Sequence, residues 1–449
     1  MSATTTSPAP LPLSRLGRFW LPLQATWLMM AVEGPFLAAI IARLPDPKFN
    51  LAAYGVAFSL AIMVEAPVIM MMSASTALVD SAGNYRRLRN FTWMLNLGIT
   101  LVMLLLIFTP AWDLVIFKLI KLDPEVARLT HTSLTILLPW PAAIGYRRFY
   151  QGLLIRTGLT RRVAWGTVVR LGAMGLSSAL VWRLTDLPGA WVGAWALTAG
   201  VVAEAVASRL MSRPSVRELL AEPGEGLLGY REIFTFYYPL ALTSTISLVV
   251  HPMVTFFLGQ SRHALESLAV MPVINSLVFV FRTPGLSFQE AAITMMGRSW
   301  SYLPQVRRFA AVLGGSAALG LAVLAWTPLS SLWLQGVSGL TPELTRFALP
   351  PIRILTLMPA LSVLLSLQRS MQVARRQTGP VTWASALEVA GILSVLVLTL
   401  IWQDWIGATA AATAFMIGRM AGNAYLVPGL LDSTPPRPRR RRTDLQSES

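Results

Sequence analysis

The residues best suited to chemistry in this sequence are charged side chains inside long apolar stretches. Residues 51–67, LAAYGVAFSLAIMVEAP, contain a single charge, Glu65, two positions before a proline. An ionised carboxylate at the centre of a bilayer costs roughly 2.5–3.5 kcal/mol, so such a residue needs a partner, a ligand or a proton to exchange. In residues 268–284, LAVMPVINSLVFVFRTP, the proline recurs 217 positions later and Arg282 occupies the place of Glu65.

Other charges also fall in apolar surroundings, and arginines outnumber acids among them. Buried arginine stays protonated, and its planar fork of donors matches carboxylate and phosphate groups, so an arginine-rich cavity favours an anionic ligand. The alternative is that these charges pair across helices and only hold a bundle together. We expect the following residues to line the cavity: Glu65, Arg147, Arg148, Arg170, Arg282, Arg369 and Glu388. Other candidate charges within the predicted spans are Glu204, Glu290, Arg353 and Arg419, although Arg353 could also lie near the outer interface.

Two of these arginines are adjacent, Arg147 and Arg148, and Gln151 follows them at the position that matches Arg369 in the second half of the chain. Neighbouring residues on a helix point about 100° apart, so both arginines cannot face lipid, and at least one is expected to line a cavity or a water-filled vestibule. The alternative is a short helix whose arginines extend to the cytoplasmic interface.

Glu33 and Glu65 are the candidate residues for binding a coupling ion, either a proton or sodium. Glu33 precedes Gly34 and Pro35, and a proline removes a helical hydrogen bond and frees a carbonyl nearby. A carboxylate held away from water in the first helix can take up and release a proton during a transport cycle. The alternative is that Glu33 ends a helix near the aqueous surface.

The composition requires a membrane environment for these residues. Hydrophobic residues make up 54% of the 449 positions and charged residues 13%, with a mean hydropathy of +0.58. Soluble chains carry about 25% charged residues, so the sequence predicts an all-α polytopic membrane protein. Twelve apolar segments are long enough to span a bilayer, and they begin near Leu16, Leu51, Phe91, Val126, Val163, Gly189, Arg231, Arg262, Leu303, Pro342, Pro380 and Asp404.

The basic residues are distributed unevenly between the two sides of the predicted membrane. Outside the spans, about 22 Lys and Arg fall on the side of both termini and about 8 on the other, which places both termini in the cytoplasm and the protein in the cell (inner or plasma) membrane. Most of the net charge of +16 is therefore a signal of topology. The tail at residues 435–442, PPRPRRRR, is predicted to be attracted to anionic lipid. A nucleic-acid partner is not expected.

The two halves of the chain repeat. Thr109-Pro110 matches Thr327-Pro328, Pro141 matches Pro359, and other prolines and aromatics match at the same spacing of about 218 positions. Six spans in each half, both starting in the cytoplasm, predict a parallel repeat with a cavity between the halves near the midplane. The predicted units are a disordered N-terminus (1–15), an N-lobe (16–212), a cytoplasmic linker (213–230), a C-lobe (231–431) and a disordered basic tail (432–449).

Opposite charges occupy equivalent positions in the repeat. Glu65 corresponds to Arg282, and Arg170 corresponds to Glu388. If both members of each pair face the interface between the halves, they can pair in one conformation and separate in the other.

Several kinds of chemistry have no residues to support them. The chain has no cysteine, and its three histidines are scattered, so neither thiol catalysis nor a metal site is predicted. Phosphate-binding Walker motifs and nucleophile elbows are also absent from the sequence. We therefore expect no enzyme activity and no cofactor, and a monomer as the functional unit.

Short segments of the sequence resemble a known family. LAAYGVAFSL (51–60), YPLAL (238–242) and PPIRILTLMPALSVLLSL (350–367) resemble the progressive ankylosis protein family, within the superfamily of multidrug and toxic compound extrusion (MATE) transporters and lipid-linked flippases. The resemblance implies a MATE-like fold of two six-helix lobes, and export of anions such as citrate or pyrophosphate. The chain departs from the animal members at Glu65-Ala66-Pro67, where they have no acid.

Three functions fit these observations. The first is a secondary exporter of a small organic or phosphate-bearing anion. The second is a proton- or sodium-coupled multidrug exporter with the same fold, for which acids would dominate the cavity. The third is a flippase for a lipid-linked saccharide, which would need a groove open to the lipid.

Overall fold

The computed structural model describes residues 13–221, 228–296, 300, 302–375 and 379–431. These residues are almost entirely helical, with one isolated bridge between Arg262 and Ile406, so the predicted all-α class is confirmed. The predicted basic tail lies outside the described residues, as do residues 1–12. The first helix begins at Leu13, so residues 13–15 are not disordered as predicted, because Leu16 is buried against the second half of the chain.

The helices of the first half have these bounds: α1 Leu13–Ala31, α2 Glu33–Ala42, α3 Pro47–Glu65, α4 Met71–Leu78, α5 Ala82–Phe108, α6 Ala111–Asp113, α7 Pro124–Ile136, α8 Trp140–Arg156, α9 Thr160–Leu184 and α10 Gly189–Met211. A 3₁₀ turn at Ala66–Val68 separates α3 from α4, and a π-helical turn at Leu114–Ile120 follows α6. A short helix, α11 Arg213–Ala221, lies in the predicted linker.

The helices of the second half follow the same order: α12 Tyr230–Leu248, α13 Val250–Gly259, α14 Ala264–Met295, α15 Leu303–Trp326, α16 Leu329–Ser331, α17 Pro342–Ile354, α18 Met358–Ala374, α19 Gly379–Leu396 and α20 Gly407–Leu431. π-Helical turns occupy Leu332–Val337 and Val397–Trp402, and a 3₁₀ turn occupies Leu355–Leu357.

Ten helical segments of the described chain are long and apolar enough to cross a membrane, which makes this a multi-pass membrane protein. Two further spans were predicted, beginning near Val126 and near Asp404. These regions form the helices α7–α8 and α20, but neither is among the ten membrane-length apolar segments. The count of twelve spans and the side on which the termini lie stay predictions. The third span begins at Ala82 instead of near Phe91, because Ser81 accepts a hydrogen bond from the Asn84 amide and caps the helix nine residues earlier.

The helix bounds repeat along the chain. The helices α1 and α12 both have 19 residues and begin 217 positions apart, at Leu13 and Tyr230. The helices α7 and α17, of 13 residues each, begin 218 positions apart, and so do α8 and α18, of 17 residues each. A left-handed backbone conformation also recurs. Asp46 precedes α3 and His263 precedes α14, and their φ angles are 51° and 55°.

Each half extends its first helix onto the other half. In α1, Trp20 Nε1 donates to Ser287 Oγ of α14 at 2.7 Å. In α12, Ser244 Oγ donates to the Ala66 carbonyl at 2.7 Å and the Tyr237 hydroxyl donates to the Pro67 carbonyl at 2.5 Å. The long helices α3 and α14 lie against each other between these crossings.

Buried apolar residues show where the two halves join. We call the end at which α1 begins and α20 ends the terminal end, and the opposite end the distal end. One core of described residues extends through the distal and middle parts of both halves, from Leu51 and Val56 to Leu268 and Ala408. At the terminal end the core divides into two larger clusters, one in the second half with α1 and one in the first half with α12. The larger core, to which both halves contribute, therefore lies in the distal and middle parts.

Packing in the first half depends on Gly152, where α8 contacts α4. A Cβ at this position would lie 2.5 Å from the Met72 carbonyl oxygen and 2.7 Å from Ser75 Cβ.

Gly152→Ala should lower the thermal stability of the detergent-solubilised protein, since overpacking costs about 1–3 kcal/mol. Gly172→Ala is the matched control, because a Cβ there meets nothing within 4 Å and alanine favours a helix by up to about 1 kcal/mol. Equal stability of the two variants would contradict this account.

Candidate functional site

Charged side chains of α2, α8, α9 and α10 form a continuous network, which we call the N-half cluster. Arg170 Nη2 lies 2.5 Å from Glu33 Oε2, and Arg170 Nη1 lies 3.7 Å from Glu204 Oε2. Arg147 pairs with the same oxygen of Glu204, and Gln151 Nε2 donates to the other oxygen at 3.0 Å. Positive and negative charges thus alternate through the interior of the first half.

The N-half cluster is closed to solvent. The side chain of Glu204 is 1% exposed, that of Arg147 6% and that of Arg170 10%. Glycines allow the helices to approach closely enough for this, since a Cβ at Gly200 would lie 3.1 Å from the Arg170 carbonyl oxygen. The structure therefore places Arg147 and Arg170, both predicted cavity residues, inside the first half.

Glu65 and Arg148 lie beside the N-half cluster and are less tightly held. Glu65 is 6% exposed, and within the described part of the chain it makes neither a hydrogen bond nor an ion pair. Its largest Coulombic attractions come from Arg148 and then from Arg147. Arg148 is half-buried, and its Nη1 lies 3.7 Å from Met72 Sδ. With these two residues included, three acids balance three arginines in the first half.

A second group of charges, the C-half cluster, lies inside the other half and contains one acid among the residues that the structure describes. Arg419 Nη2 of α20 lies 2.8 Å from Glu388 Oε1 of α19. The two helices are close here because Gly422, one turn after Arg419, brings its backbone next to Glu388; a Cβ at Gly422 would lie 3.5 Å from Glu388 Cβ. This pair is neutral.

Two more arginines of the C-half cluster have hydroxyl groups as their only hydrogen-bond partners among the described residues. Arg282 Nε donates to Ser362 Oγ at 3.1 Å, and Arg369 Nη2 donates to Ser385 Oγ at 3.1 Å. Arg419, Glu388 and Arg369 are the charges that act most strongly on Arg282, so the four belong to one site. When all are ionised, three arginines and one glutamate leave this cluster with a charge of +2.

The repeat explains the difference in charge between the clusters. Each residue of the N-half cluster, together with Glu65 and Arg148 beside it, has a counterpart 217 or 218 residues later, and every counterpart differs in charge. The pairs are Glu33 and Val250, Glu65 and Arg282, Arg147 and Leu365, Arg148 and Ser366, Gln151 and Arg369, Arg170 and Glu388, and Glu204 and Gly422. The acid at the centre of the first network has thus been replaced by glycine in the second.

The predicted pairs across the interface are not formed in this conformation. Glu65 contacts neither Arg282 nor any other described residue through a hydrogen bond, and Arg170 and Glu388 each pair with an adjacent helix of their own half. Short distances between neighbouring helices favour these partners. Pairing of Glu65 with Arg282 in another conformation stays a prediction, and combined charge reversal at the two positions would test it by rescue of transport.

Sequence reasoning missed the serines and undervalued Glu204. Ser362 and Ser385 are too common a residue type in membrane helices to be singled out. Glu204 carried a usable signal, because Arg147 and Gln151 stand one helical turn apart and Glu204 is the sole acid in the two spans that follow. The side chain of Glu290 lies outside the described residues. Among those described, no group of His, Cys, Asp or Glu could hold a metal ion.

No protein-family model matches the chain, and no curated protein matches it in sequence. Solved structures do match over nearly its whole length. One is a multidrug resistance transporter of the MATE family and MOP superfamily in an inward-facing conformation, with a TM-score of 0.71 and 15% identity, covering 94% of this chain and 96% of that one. Another is the lipid II flippase MurJ in an inward closed conformation, with a TM-score of 0.69 and 13% identity, covering 92% and 88%.

A third solved structure is a MOP-superfamily transporter from Pyrococcus furiosus, described as having a binding pocket of reverse polarity that suggests a different function. Its TM-score is 0.67 at 15% identity, with 94% of this chain and 95% of that one covered. The narrower resemblance to the progressive ankylosis family stays a prediction. At these identities the likeness establishes the architecture, and the chain has the fold of the MATE and MOP-superfamily transporters.

Proposed function

We propose that this protein is a secondary active transporter that alternates access between its two halves and exports an organic or phosphate-bearing anion, similar in charge to citrate or pyrophosphate. The fold it shares with MATE and MOP-superfamily transporters supports the general activity. A core shared at the distal end and divided at the terminal end is the arrangement expected of one state of such a cycle. The protein acts as a monomer in the cell membrane, with both termini in the cytoplasm.

The charge of the C-half cluster carries the proposal of an anionic cargo. Arg282 and Arg369 donate to serine hydroxyls, and the one acid of the described cluster, Glu388, is already paired with Arg419. Charged groups inside a membrane protein are costly unless they are paired, so a negatively charged ligand would lower the free energy of this site. Guanidinium groups bind carboxylate and phosphate through paired hydrogen bonds, which matches both cargo classes.

The N-half cluster has a different role in this proposal. Its acids and arginines balance, and its central members are enclosed, so it holds α2, α8, α9 and α10 together and offers little to a cargo. Arg148 and Glu65, at its edge, can still contact a cargo that lies between the halves. Glu33 and Glu65 remain the candidate acids for proton or sodium coupling.

Two alternatives use the same fold. A multidrug exporter for cations would need a negatively charged cavity, whereas the C-half cluster of this chain has a charge of +2. A flippase for a lipid-linked saccharide is favoured by the likeness to MurJ, and its cargo would have to reach the site from the bilayer. The transporter with a pocket of reverse polarity supports the view that pocket charge separates functions within this fold.

The first prediction concerns cargo binding. In inverted vesicles supplied with labelled citrate, labelled pyrophosphate or a cationic dye, we expect uptake of an anion and none of the dye. Arg282→Gln and Arg369→Gln should each lower anion uptake about tenfold or more, because a hydrogen bond to a charged group contributes about 1.5–3 kcal/mol.

The matched control is Arg353→Gln in α17. Arg353 is exposed, lies over the Trp326 ring at 5.0 Å and donates to the Ala325 carbonyl at 3.3 Å, away from the cluster. Its removal should leave uptake unchanged. Uptake of the dye alone, or equal losses in all three variants, would contradict the proposal.

The second prediction separates structure from binding. Glu204→Gln leaves Arg147 buried without its carboxylate, and breaking a buried pair in this way costs about 3–5 kcal/mol. Adding Arg147→Leu, which copies the equivalent Leu365, should restore much of the lost thermal stability. The measurement is the unfolding midpoint in detergent, and a double variant less stable than Glu204→Gln would show that the pair is not the stabilising element.

The third prediction addresses coupling. If Glu33 exchanges a proton during transport, then in Glu33→Gln the rate of anion transport should no longer respond to an imposed pH gradient. Glu125→Gln is the control, since Glu125 is exposed and pairs with Arg128 within α7. An unchanged pH response in Glu33→Gln removes this residue from coupling.

A further inference from the structure

Three polar contacts join the two halves at the distal end, and each one crosses from one half to the other. They are Lys48 Nζ to Glu266 Oε1 at 2.6 Å, Arg43 Nη2 to the Gly336 carbonyl at 2.5 Å, and Gln260 Nε2 to the Leu119 carbonyl at 3.1 Å. None of these residues belongs to the charge clusters of the membrane interior.

Two of the contacts are related by the repeat. Arg43 and Gln260 are 217 positions apart, and each directly follows a helix, α2 or α13. Their acceptors, Gly336 and Leu119, both lie near the end of a π-helical turn, in Leu332–Val337 and Leu114–Ile120. The last carbonyls of a helix have no donor within it. In each half, therefore, a side chain donates a hydrogen bond to a carbonyl near the end of a helical turn in the other half.

The halves approach each other closely at this point. A Cβ at Gly259, next to Gln260, would lie 2.1 Å from the Ile120 carbonyl oxygen. Gly339 has a φ of +74°, and a Cβ there would lie 3.0 Å from Arg43 Cγ. Side chains larger than hydrogen would prevent this contact, so the sequence is suited to close backbone packing at the distal end.

We propose that these three contacts form a clasp that keeps the distal end closed, and that their release is the step that opens the cleft to the distal side. The inference rests on the alternating access proposed above. The central ion pair is partly exposed, with the Lys48 side chain at 29% and that of Glu266 at 19%, so water can replace each partner when the halves part. The enclosed pairs of the N-half cluster have no such access to water and are unsuited to repeated opening.

Accessibility of a buried thiol tests the clasp directly. The chain has no cysteine, so Leu268→Cys introduces a single reporter. Leu268 is 5% exposed, in the core that both halves share at the distal end, and its backbone lies next to Gly55 of α3. A membrane-impermeant thiol reagent, added to the distal side of oriented vesicles, should react slowly while the clasp is closed.

We expect Glu266→Gln to raise the rate of labelling about two- to fivefold, which is the shift in equilibrium that one partly exposed ion pair can produce. The combination Lys48→Glu with Glu266→Lys should return the rate toward that of the reporter alone. Glu125→Gln is the matched control, because its ion pair with Arg128 also lies at the start of a helix but stays within that helix, and it should leave the rate unchanged.

Labelling of Glu266→Gln at the same rate as the control would overturn the clasp, as would a charge-swapped variant that labels as fast as Glu266→Gln. Thermal unfolding of each variant shows whether fast labelling reflects an unfolded protein, and a midpoint near that of the reporter alone is expected. If a transported anion changes the labelling rate while Glu266→Gln does not, the clasp is wrong and the transport proposal stands.

Discussion

The structure depends on a single constraint, that a charge removed from water needs a counter-charge or a hydrogen-bond partner. In the first half this constraint is met internally, since Arg170 lies between Glu33 and Glu204, and Arg147 completes the series. Four helices must hold fixed positions for these contacts to form. In the second half Gly422 stands at the position of the central acid, and the described part of the C-half cluster holds three arginines and one acid, Glu388.

The two halves therefore share a fold while differing in electrostatics. The lengths of three helix pairs, the left-handed residues Asp46 and His263, and the π-helical turns at Leu114–Ile120 and Leu332–Val337 recur at a spacing of 217 or 218 positions. The prolines that begin α7 and α17 recur with them. The buried charges do not recur. Among the four residues that form ion pairs in the N-half cluster, Arg170 alone has a charged counterpart, Glu388, and its charge is opposite. The backbone pattern thus specifies the architecture, and a few interior substitutions give the two clusters their different charges.

The sequence predicted the class, the repeat pattern and most helix starts, because hydropathy and proline spacing report on them directly. Hydropathy placed the start of the third span near Phe91, whereas α5 begins at Ala82, because Arg86, Arg87 and Arg89 lower the hydropathy of its first turns. The sequence singled out the charged residues that lie in the two clusters, but it did not predict which side chains they contact. Symmetry shows which positions are equivalent, whereas contact depends on how each helix is rotated against its neighbour, as Arg170 and Glu388 illustrate. Partners such as Ser362 follow only from coordinates.

One difference between the matching helices has a mechanical consequence. The first half breaks its second span with the 3₁₀ turn at Ala66–Val68, whereas α14 continues through Pro272 and Pro284 for 32 residues. This single helix carries Glu266 at its distal end, Arg282 in the middle and Ser287 next to α1. A displacement at Arg282 is therefore transmitted along an uninterrupted helix to both ends of the interface, while the jointed helix opposite can bend to accommodate it.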